Sequence, residues 1–342
     1  MSLEARVQRA WSEGGLLALA LRPLGWLYGG LLALRNGLYR FGVKKVAELP
    51  VPVIVVGNWI VGGAGKTPTT LGLLDLLQRE GIRAGVISRG YGRSDEEGTR
   101  LIGSDSLATE VGDEPLLIHL RGKVPVAVGR DRVAAAEALL AAHPQLQVLI
   151  SDDGLQHLRL PRALSVLVFD ERGIGNGRLL PAGPLRQPAC EQVPDNSLVL
   201  YNAAAPSTAL PGFLGRRRLS GAVSLQDWWQ GQPAEMATLE SLQGRPLLAA
   251  AGMAQPQRFF AMLREQQLQI AELPLPDHAS FSPLPWPVDT AEVLVTEKDA
   301  VKLRREAVGS TRVWVVALDF RPEPAFEQAL LERLKPRLSN HG

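Results

Sequence analysis

An apolar, β-branched run, Val53-Ile54-Val55-Val56, empties into Gly57-Asn58-Trp59-Ile60-Val61-Gly62-Gly63-Ala64-Gly65-Lys66-Thr67-Pro68. No other stretch restricts the possible folds so strongly. The run predicts a buried strand, and a helical pattern follows from about Thr69 to Arg79. Strand, glycine turn, Lys-Thr and helix in that order suit a phosphate cradle. Glycines let backbone N–H groups approach oxygens, a lysine ammonium bridges terminal phosphates, and a threonine hydroxyl ligates Mg²⁺. The expected ligand is ATP or a related triphosphate on Gly62, Gly63, Ala64, Gly65, Lys66, Thr67 and Pro68, with Thr67 also on the metal. The spacing departs from the full pattern once: Ile60 stands five residues before Gly65, where a glycine is usual, and Gly57, Gly62 and Gly63 supply the flexibility. A glycine turn after a strand is often only a tight connection; the helix that follows favours the cradle.

Further short apolar runs follow: Ala84–Ser88, Val124–Val128, Val148–Ser151 and Ser165–Phe169, then Leu247–Ala251, Val293–Thr296 and Val313–Leu318. Alternation of such runs with helical pieces predicts an α/β fold, a doubly wound, mostly parallel sheet with helices on both faces. Ligands of such sheets sit beyond the carboxyl ends of the strands. The polar clusters at 57–68, 88–93, 112–114 and 151–157 each follow an apolar segment or open a helix, so one cleft is expected to collect them. Pro206, Pro211, Gly212 and Arg216-Arg217-Arg218 mark a composition break, and a smaller second unit is expected from about 205.

A length of 342 residues suits two domains, and a net charge of +2 makes no case for nucleic acid as a partner. Cys190, the one cysteine, excludes an internal disulfide framework and a cysteine-based zinc cage. Near the start, Leu16–Leu21 and Leu24–Leu34 are rich in Leu, Ala, Trp and Tyr, interrupted by Arg22-Pro23 and followed by Arg35, Arg40, Lys44 and Lys45. Neither piece reaches the roughly 20 residues of a bilayer span. Two readings stand: a helix lying at a membrane surface, or a hydrophobic helix packed on the protein body.

Phosphoryl transfer needs a metal and a group to take a proton. Asp152 and Asp153 end a strand expected beside the lysine loop, where a carboxylate holds Mg²⁺ directly or through water. Asp113-Glu114-Pro115 reads two ways: a helix N-terminus with favourable acids and a first-turn proline, or a base and a metal ligand. His119, His143 and His341 sit in unremarkable settings; His157 follows the Asp152-Asp153 motif, and His278 lies in a loop of the second half, from which it would reach across an interdomain cleft. Arg89, Arg93, Arg130, Arg132, Arg178 and Arg186 are candidate clamps for anionic oxygens. On these residues alone, a membrane-associated nucleotide switch and a soluble ATP-using ligase remain open beside a kinase. Thr296-Glu297-Lys298-Asp299 is not a guanine reader.

The motifs together are more specific than any one. Gly62-Gly63-Ala64-Gly65-Lys66-Thr67-Pro68, Ser88-Arg89-Gly90-Tyr91-Gly92-Arg93, Gly112-Asp113-Glu114-Pro115 and Asp152-Asp153-Gly154-Leu155-Gln156-His157 occur in order. Gly177-Arg178-Leu179-Leu180-Pro181-Ala182-Gly183-Pro184-Leu185-Arg186, Pro276-Asp277-His278 and Thr296-Glu297-Lys298-Asp299 follow. The chain thereby resembles the tetraacyldisaccharide 4′-kinases, the lipid A 4′-kinases of Gram-negative bacteria. The resemblance implies transfer of phosphate from ATP, with Mg²⁺, to the 4′-hydroxyl of a tetraacylated glucosamine disaccharide 1-phosphate at the cytoplasmic face of the inner membrane. It implies Asp113 as base, His278 as the partner that orients it, and Lys66 on the γ-phosphate. Glu114, Asp152 and Asp153 become organisers of the Mg²⁺ site or of the phosphate site, while Asn58, Arg89, Tyr91, Gln156, His157 and Arg178 are the candidates for substrate contact. The organisation it implies is an apolar membrane-associating segment (1–45), a P-loop kinase domain (46–204) and a smaller α/β domain (205–342) with a C-terminal helix.

Overall fold

The structure is a computed structural model that describes residues 3–95 and 97–338, so His341 lies outside the described residues. Its strands, in chain order, are β1 (Val53–Gly57), β2 (Ala84–Ser88), β3 (Thr99–Leu101), β4 (Val126–Gly129), β5 (Val148–Asp152), β6 (Leu164–Phe169), β7 (Ser197–Tyr201), β8 (Phe213–Ser224), β9 (Leu247–Gly252), β10 (Ile270–Leu275), β11 (Glu292–Thr296) and β12 (Arg312–Pro322). The chain forms two compact units, one of residues 1–88, 132–216 and 321–342, the other of 89–131 and 217–320.

In the first unit the strands run β7-β6-β1-β5-β2, all parallel. Every residue of these strands is buried, as continuous apolar runs covered on both faces require. β1 lies between β5 and β6, and its register pairs Val56 with Asp152. The chain order turns back at this strand, so the carboxyl ends of β1 and β5 open on the place where such sheets bind ligands. The helix after β1 spans Lys66–Arg79, beginning earlier than its apolar pattern suggests because Lys66, Thr67 and Pro68 already form its first turn. The C-terminal helix, Pro324–Leu338, buries Phe326, Leu330 and Leu334 in this unit, and Phe326 meets the Phe213 ring edge-on. Two ion pairs, Arg79–Glu327 at 2.7 Å and Lys335–Glu80 at 2.8 Å, tie it to the Lys66–Arg79 helix.

The second unit carries the strand order β10-β9-β11-β12-β8, with β10, β9, β11 and β12 parallel, and the antiparallel pair β3–β4. Alternate side chains enter two separate cores. Ala249, Ala251 and Leu294 join one with Phe259 and Phe260; Ala250, Val293 and Val295 join the other with Phe281 and Trp286. That period of two is the pleat of a sheet covered on both faces.

The expected boundaries at 45/46 and 204/205 differ from this division. Residues 89–131, expected with the lysine loop, belong to the second unit, and the C-terminal helix, expected in the second, belongs to the first. Composition marks where turns cluster, whereas compactness follows which apolar faces are buried together, and that is not local in sequence. The arginine run read as a break lies inside β8, whose outward positions Arg216 and Arg218 are exposed. β10 carries Pro274, tolerable because β10 is an edge strand.

The apolar N-terminal segment forms helices Leu3–Glu13, Leu16–Ala20 and Arg22–Arg40. Among the described residues no helix is long and apolar enough to cross a membrane. The last helix is docked by one face. A Cβ at Gly25 would lie 3.4 Å from Ala182, one at Gly29 3.0 Å from Leu179, and Tyr28 donates to the Arg186 carbonyl at 2.9 Å. Trp11 Nε1 donates to the Pro181 carbonyl at 2.9 Å, so the Gly177–Arg186 motif is the seat of the N-terminal helices. The other face stays bare: Leu24, Leu27, Leu31 and Leu34, at helical spacing, are 53, 63, 58 and 63 % exposed.

Candidate active site

In the first unit the site starts at the glycine turn. Gly62 (φ 94°) and Gly65 (φ 89°) hold left-handed backbone that side-chain-bearing residues rarely adopt, and a Cβ at Gly62 would also come within 3.1 Å of Arg172. Gly65 caps the Lys66–Arg79 helix and brings no side chain to its first N–H groups. Those groups and the helix dipole favour an anion there. The loop is braced from behind. Arg172, paired with the fully buried Asp170 at 2.8 Å, donates to the Gly63 carbonyl at 3.0 Å, and Asn202 donates to the Ala64 carbonyl at 3.0 Å.

Lys66 extends over this turn. Its Nζ is 3.4 Å from Asn58 Oδ1 and 3.8 Å from Asp153 Oδ2. Arg186 holds Asp153 more tightly, at 2.8 Å, and also donates to the carbonyl and side-chain oxygens of Asn58. Burial pushes the Asp153 carboxyl up, but the charge of Lys66 and the hydrogen bonds and charge of Arg186 outweigh it, holding the group below its ordinary value. Asp153 itself sits at φ 52°, a left-handed position that Asp tolerates better than most residues. Asp152, 2 % exposed, accepts from Thr70 at 3.1 Å. Gln156 donates to the Asn58 carbonyl at 3.3 Å, while the His157 N–H closes a turn onto the Gly154 carbonyl. Arg178 has its N–H bound by Asn176 Oδ1 at 3.0 Å. Thr67, Asp152 and Asp153 supply hard oxygen donors beside the lysine, a donor set that fits Mg²⁺.

In the second unit the acid pair opens the helix Asp113–Gly122, as the helix N-terminus reading expects. Asp113 also meets His278, whose Nδ1 lies 2.9 and 3.2 Å from the two Asp113 oxygens. Burial pushes the Asp113 carboxyl up, yet the His278 hydrogen bond and the charge of Lys298 outweigh it and keep the group below its ordinary value. The same hydrogen bond lifts His278 above its usual value, against burial and the nearby Lys298. Asp113 is thus an anion and His278 the donor. The Tyr91 ring stands 5.2 Å from the imidazole. Arg89 is exposed. Gly90 and Gly112 explain the two motifs around the pair: a Cβ at Gly112 (φ 92°) would meet Gly90 Cα and the Tyr91 carbonyl at 3.1 Å, and one at Gly90 would meet the Val111 carbonyl at 2.8 Å.

The expectation that His278 reaches Asp113 across domains is corrected: both belong to the second unit, because 89–131 packs with 217–320. The four polar clusters divide likewise, with 57–68 and 151–157 in the first unit, and 89–93 and 112–114 in the second. Among the described residues no cluster of three or more His, Cys, Asp or Glu side chains is placed to hold a metal alone. Glu114, expected on Mg²⁺, accepts from Lys298 at 3.0 Å. Residues that sequence reasoning passed over are Arg172 and Asn202, which brace the loop with no motif to announce them, and Lys298, whose only signal was the Thr296–Asp299 motif.

A lysine poised over a left-handed glycine turn at a helix mouth, with a carboxylate kept ionised elsewhere in the fold, is the equipment of a P-loop kinase. Residues 17–335 match the family model of tetraacyldisaccharide-1-P 4′-kinase (LpxK). The tetraacyldisaccharide 4′-kinase of Methylibium petroleiphilum is 57 % identical over 340 residues, covering 98 % of this chain and 94 % of that one. That of Leptothrix cholodnii is 54 % identical over 98 % of this chain and 97 % of its own. The crystal structure of LpxK from Aquifex aeolicus in complex with ATP superposes with a TM-score of 0.75 at 28 % identity, covering 93 % of this chain and all of that one. The chain belongs to the tetraacyldisaccharide 4′-kinase family.

Proposed function

We propose that this chain transfers the γ-phosphate of ATP to the 4′-hydroxyl of a tetraacylated glucosamine disaccharide 1-phosphate, giving lipid IVA, and that Asp113 is the base. The observation that carries the assignment of the base is the 2.9 Å contact between Asp113 and His278. His278 Nδ1–H fixes the carboxylate's orientation and keeps it charged; the free lone pairs of Asp113 accept the hydroxyl proton as the oxygen attacks phosphorus. A weak base suffices, because a loose transition state gives up that proton late.

The backbone N–H groups of Gly62, Gly63, Ala64 and Gly65 receive the phosphates of ATP, and Lys66 exchanges its long contacts with Asn58 and Asp153 for the γ-phosphate oxygens. Thr67, Asp152 and Asp153 hold Mg²⁺, with Glu114 a further candidate; the ion supplies charge neutralisation on the phosphate oxygens. Arg89, Tyr91, Asn58, Gln156, His157 and Arg178 are the candidates for contact with the sugar phosphate.

The acyl chains keep the substrate in a bilayer, since each buried CH₂ is worth ~0.8 kcal/mol. The bare stripe Leu24-Leu27-Leu31-Leu34 with Trp26, flanked by Arg35, Arg40, Lys44 and Lys45, supports peripheral docking at the cytoplasmic face of the inner membrane. Thin-layer analysis of lipid products, with purified protein and labelled ATP, tests the reading. A labelled disaccharide that forms with Mg²⁺ and not with EDTA is expected; ATP hydrolysis without labelled lipid overturns it.

A further inference from the structure

We propose that Lys298 is a positioning residue for the Asp113–His278 pair, joining the two loops that carry it through Glu114 and Asp277. The proposal rests on the reading of Asp113 as the base. Asp113 and His278 are 165 residues apart in the chain, so nothing covalent holds them in register. Lys298 Nζ lies 3.0 Å from Glu114 Oε1 and 2.9 Å from Asp277 Oδ1. Glu114 follows Asp113 and Asp277 precedes His278, so the five residues close a ring: two peptide links, two ion pairs and the carboxylate–imidazole contact.

The lysine is held from below. It stands in the short helix Glu297–Ala300, whose cap Thr296 accepts from the Asp299 N–H. Asp299, fully buried, binds the Gly252 N–H at 3.0 Å and Lys302 Nζ at 2.9 Å. Glu297, also buried, accepts from Arg121 at 2.7 Å and from the Leu318 N–H at 3.3 Å. Both neighbours of Lys298 are thus locked inward, and its side chain, 18 % exposed, is the one extended toward the pair. The charge count agrees. Asp113, Glu114 and Asp277 place three carboxylates together, and without Lys298 their repulsion would push the two loops apart. His278 is meanwhile held at φ 59°, a backbone setting that needs support from its surroundings.

The test uses the full chain, lipid substrate in mixed micelles and four variants. Lys298→Met is expected to lower kcat about 10- to 100-fold, the scale of a misplacement near 1 Å, with the KM for ATP within about twofold of wild type. Lys298→Arg, which keeps the charge, is expected to recover most of that loss. In an Asp113→Ala background, Lys298→Met is expected to cost nothing more, because a residue acting through the pair has nothing left to position. Wild-type kcat in Lys298→Met overturns the proposal, and so does the same fold-loss in both backgrounds. A kcat of Lys298→Met that returns to the wild-type value once it is assayed well below the variant's melting temperature assigns the lysine to stability alone and also overturns it. Wild-type turnover in Asp113→Ala is a different result: it removes the base assignment itself.

Discussion

Around Asp153 the cations are arranged loosely on one side and tightly on the other: Lys66 at 3.8 Å, Arg186 at 2.8 Å. Around Asp113 every contact is close, with His278 at 2.9 Å and the neighbouring carboxylates held by Lys298 at 2.9 and 3.0 Å. Both carboxylates are kept ionised against burial, but only the first cluster contains a cation whose bonds are long enough to be given up. A phosphate-binding lysine must change partners when its ligand arrives; a base must already be aimed. Under the proposed function the loose cluster is the one that binds phosphate and the tight one the one that takes the proton.

That contrast breaks first at Lys66. Lys66→Ala should reduce kcat/KM by about 10²- to 10³-fold through lost stabilisation of the transferring phosphoryl, with nucleotide affinity falling as well; unchanged ATP affinity by calorimetry would place the lysine outside the phosphate site. His278→Ala should lower kcat by about 10²-fold and leave ATP affinity in place, since an orienting partner touches no phosphate. Steady-state kinetics with both substrates separates the two patterns.

The backbone offers a sharper comparison. Gly112→Ala should destabilise the fold by about 1–3 kcal/mol, because it adds a left-handed alanine and a Cβ against Gly90, and denaturant unfolding measures it. Gly14→Ala, with left-handed φ and open space, should cost less. Leu27→Glu with Leu31→Glu should abolish flotation with anionic vesicles while sparing the melting temperature, as both side chains are exposed.

The smallest effect expected is the pH dependence of the His278 contact. Its raised value means the contact's stabilisation is fully present below the ordinary histidine range, about pH 6.5, and is lost as pH rises through the folded value. Asp113, lowered, contributes above about pH 4 and loses its share as pH falls through its folded value. The stability gap between wild type and His278→Gln should therefore be widest between about pH 4 and 6.5 and narrow on either side. A gap that grows above pH 7 would contradict the assigned charges.

Much of the first unit was legible because its signals are local. β1, β2, β5 and β6 are continuous apolar runs, and the Gly65-Lys66-Thr67 turn is contiguous. β7 and β8 were not anticipated; β8 hides behind exposed arginines. The residues around Asp113 in the second unit were legible as separate motifs, and their pairing with His278 came only through the family resemblance. Nothing near Asp113 in sequence says that His278 meets it, or that 89–131 packs with 217–320, since those facts depend on which distant apolar faces are buried together. The Thr296–Asp299 motif marked Lys298 without saying what it touches, for the same reason: its two partners are 184 and 21 residues away.

The account stands most directly on Asp113→Asn, which preserves the size of the side chain and removes its capacity to take a proton. Quenched single-turnover transfer from γ-labelled ATP to the disaccharide lipid, with nucleotide binding measured on the same sample, is predicted to show ATP bound as in wild type and label appearing in lipid at least about 100-fold more slowly. Label reaching the lipid at the wild-type rate would contradict it.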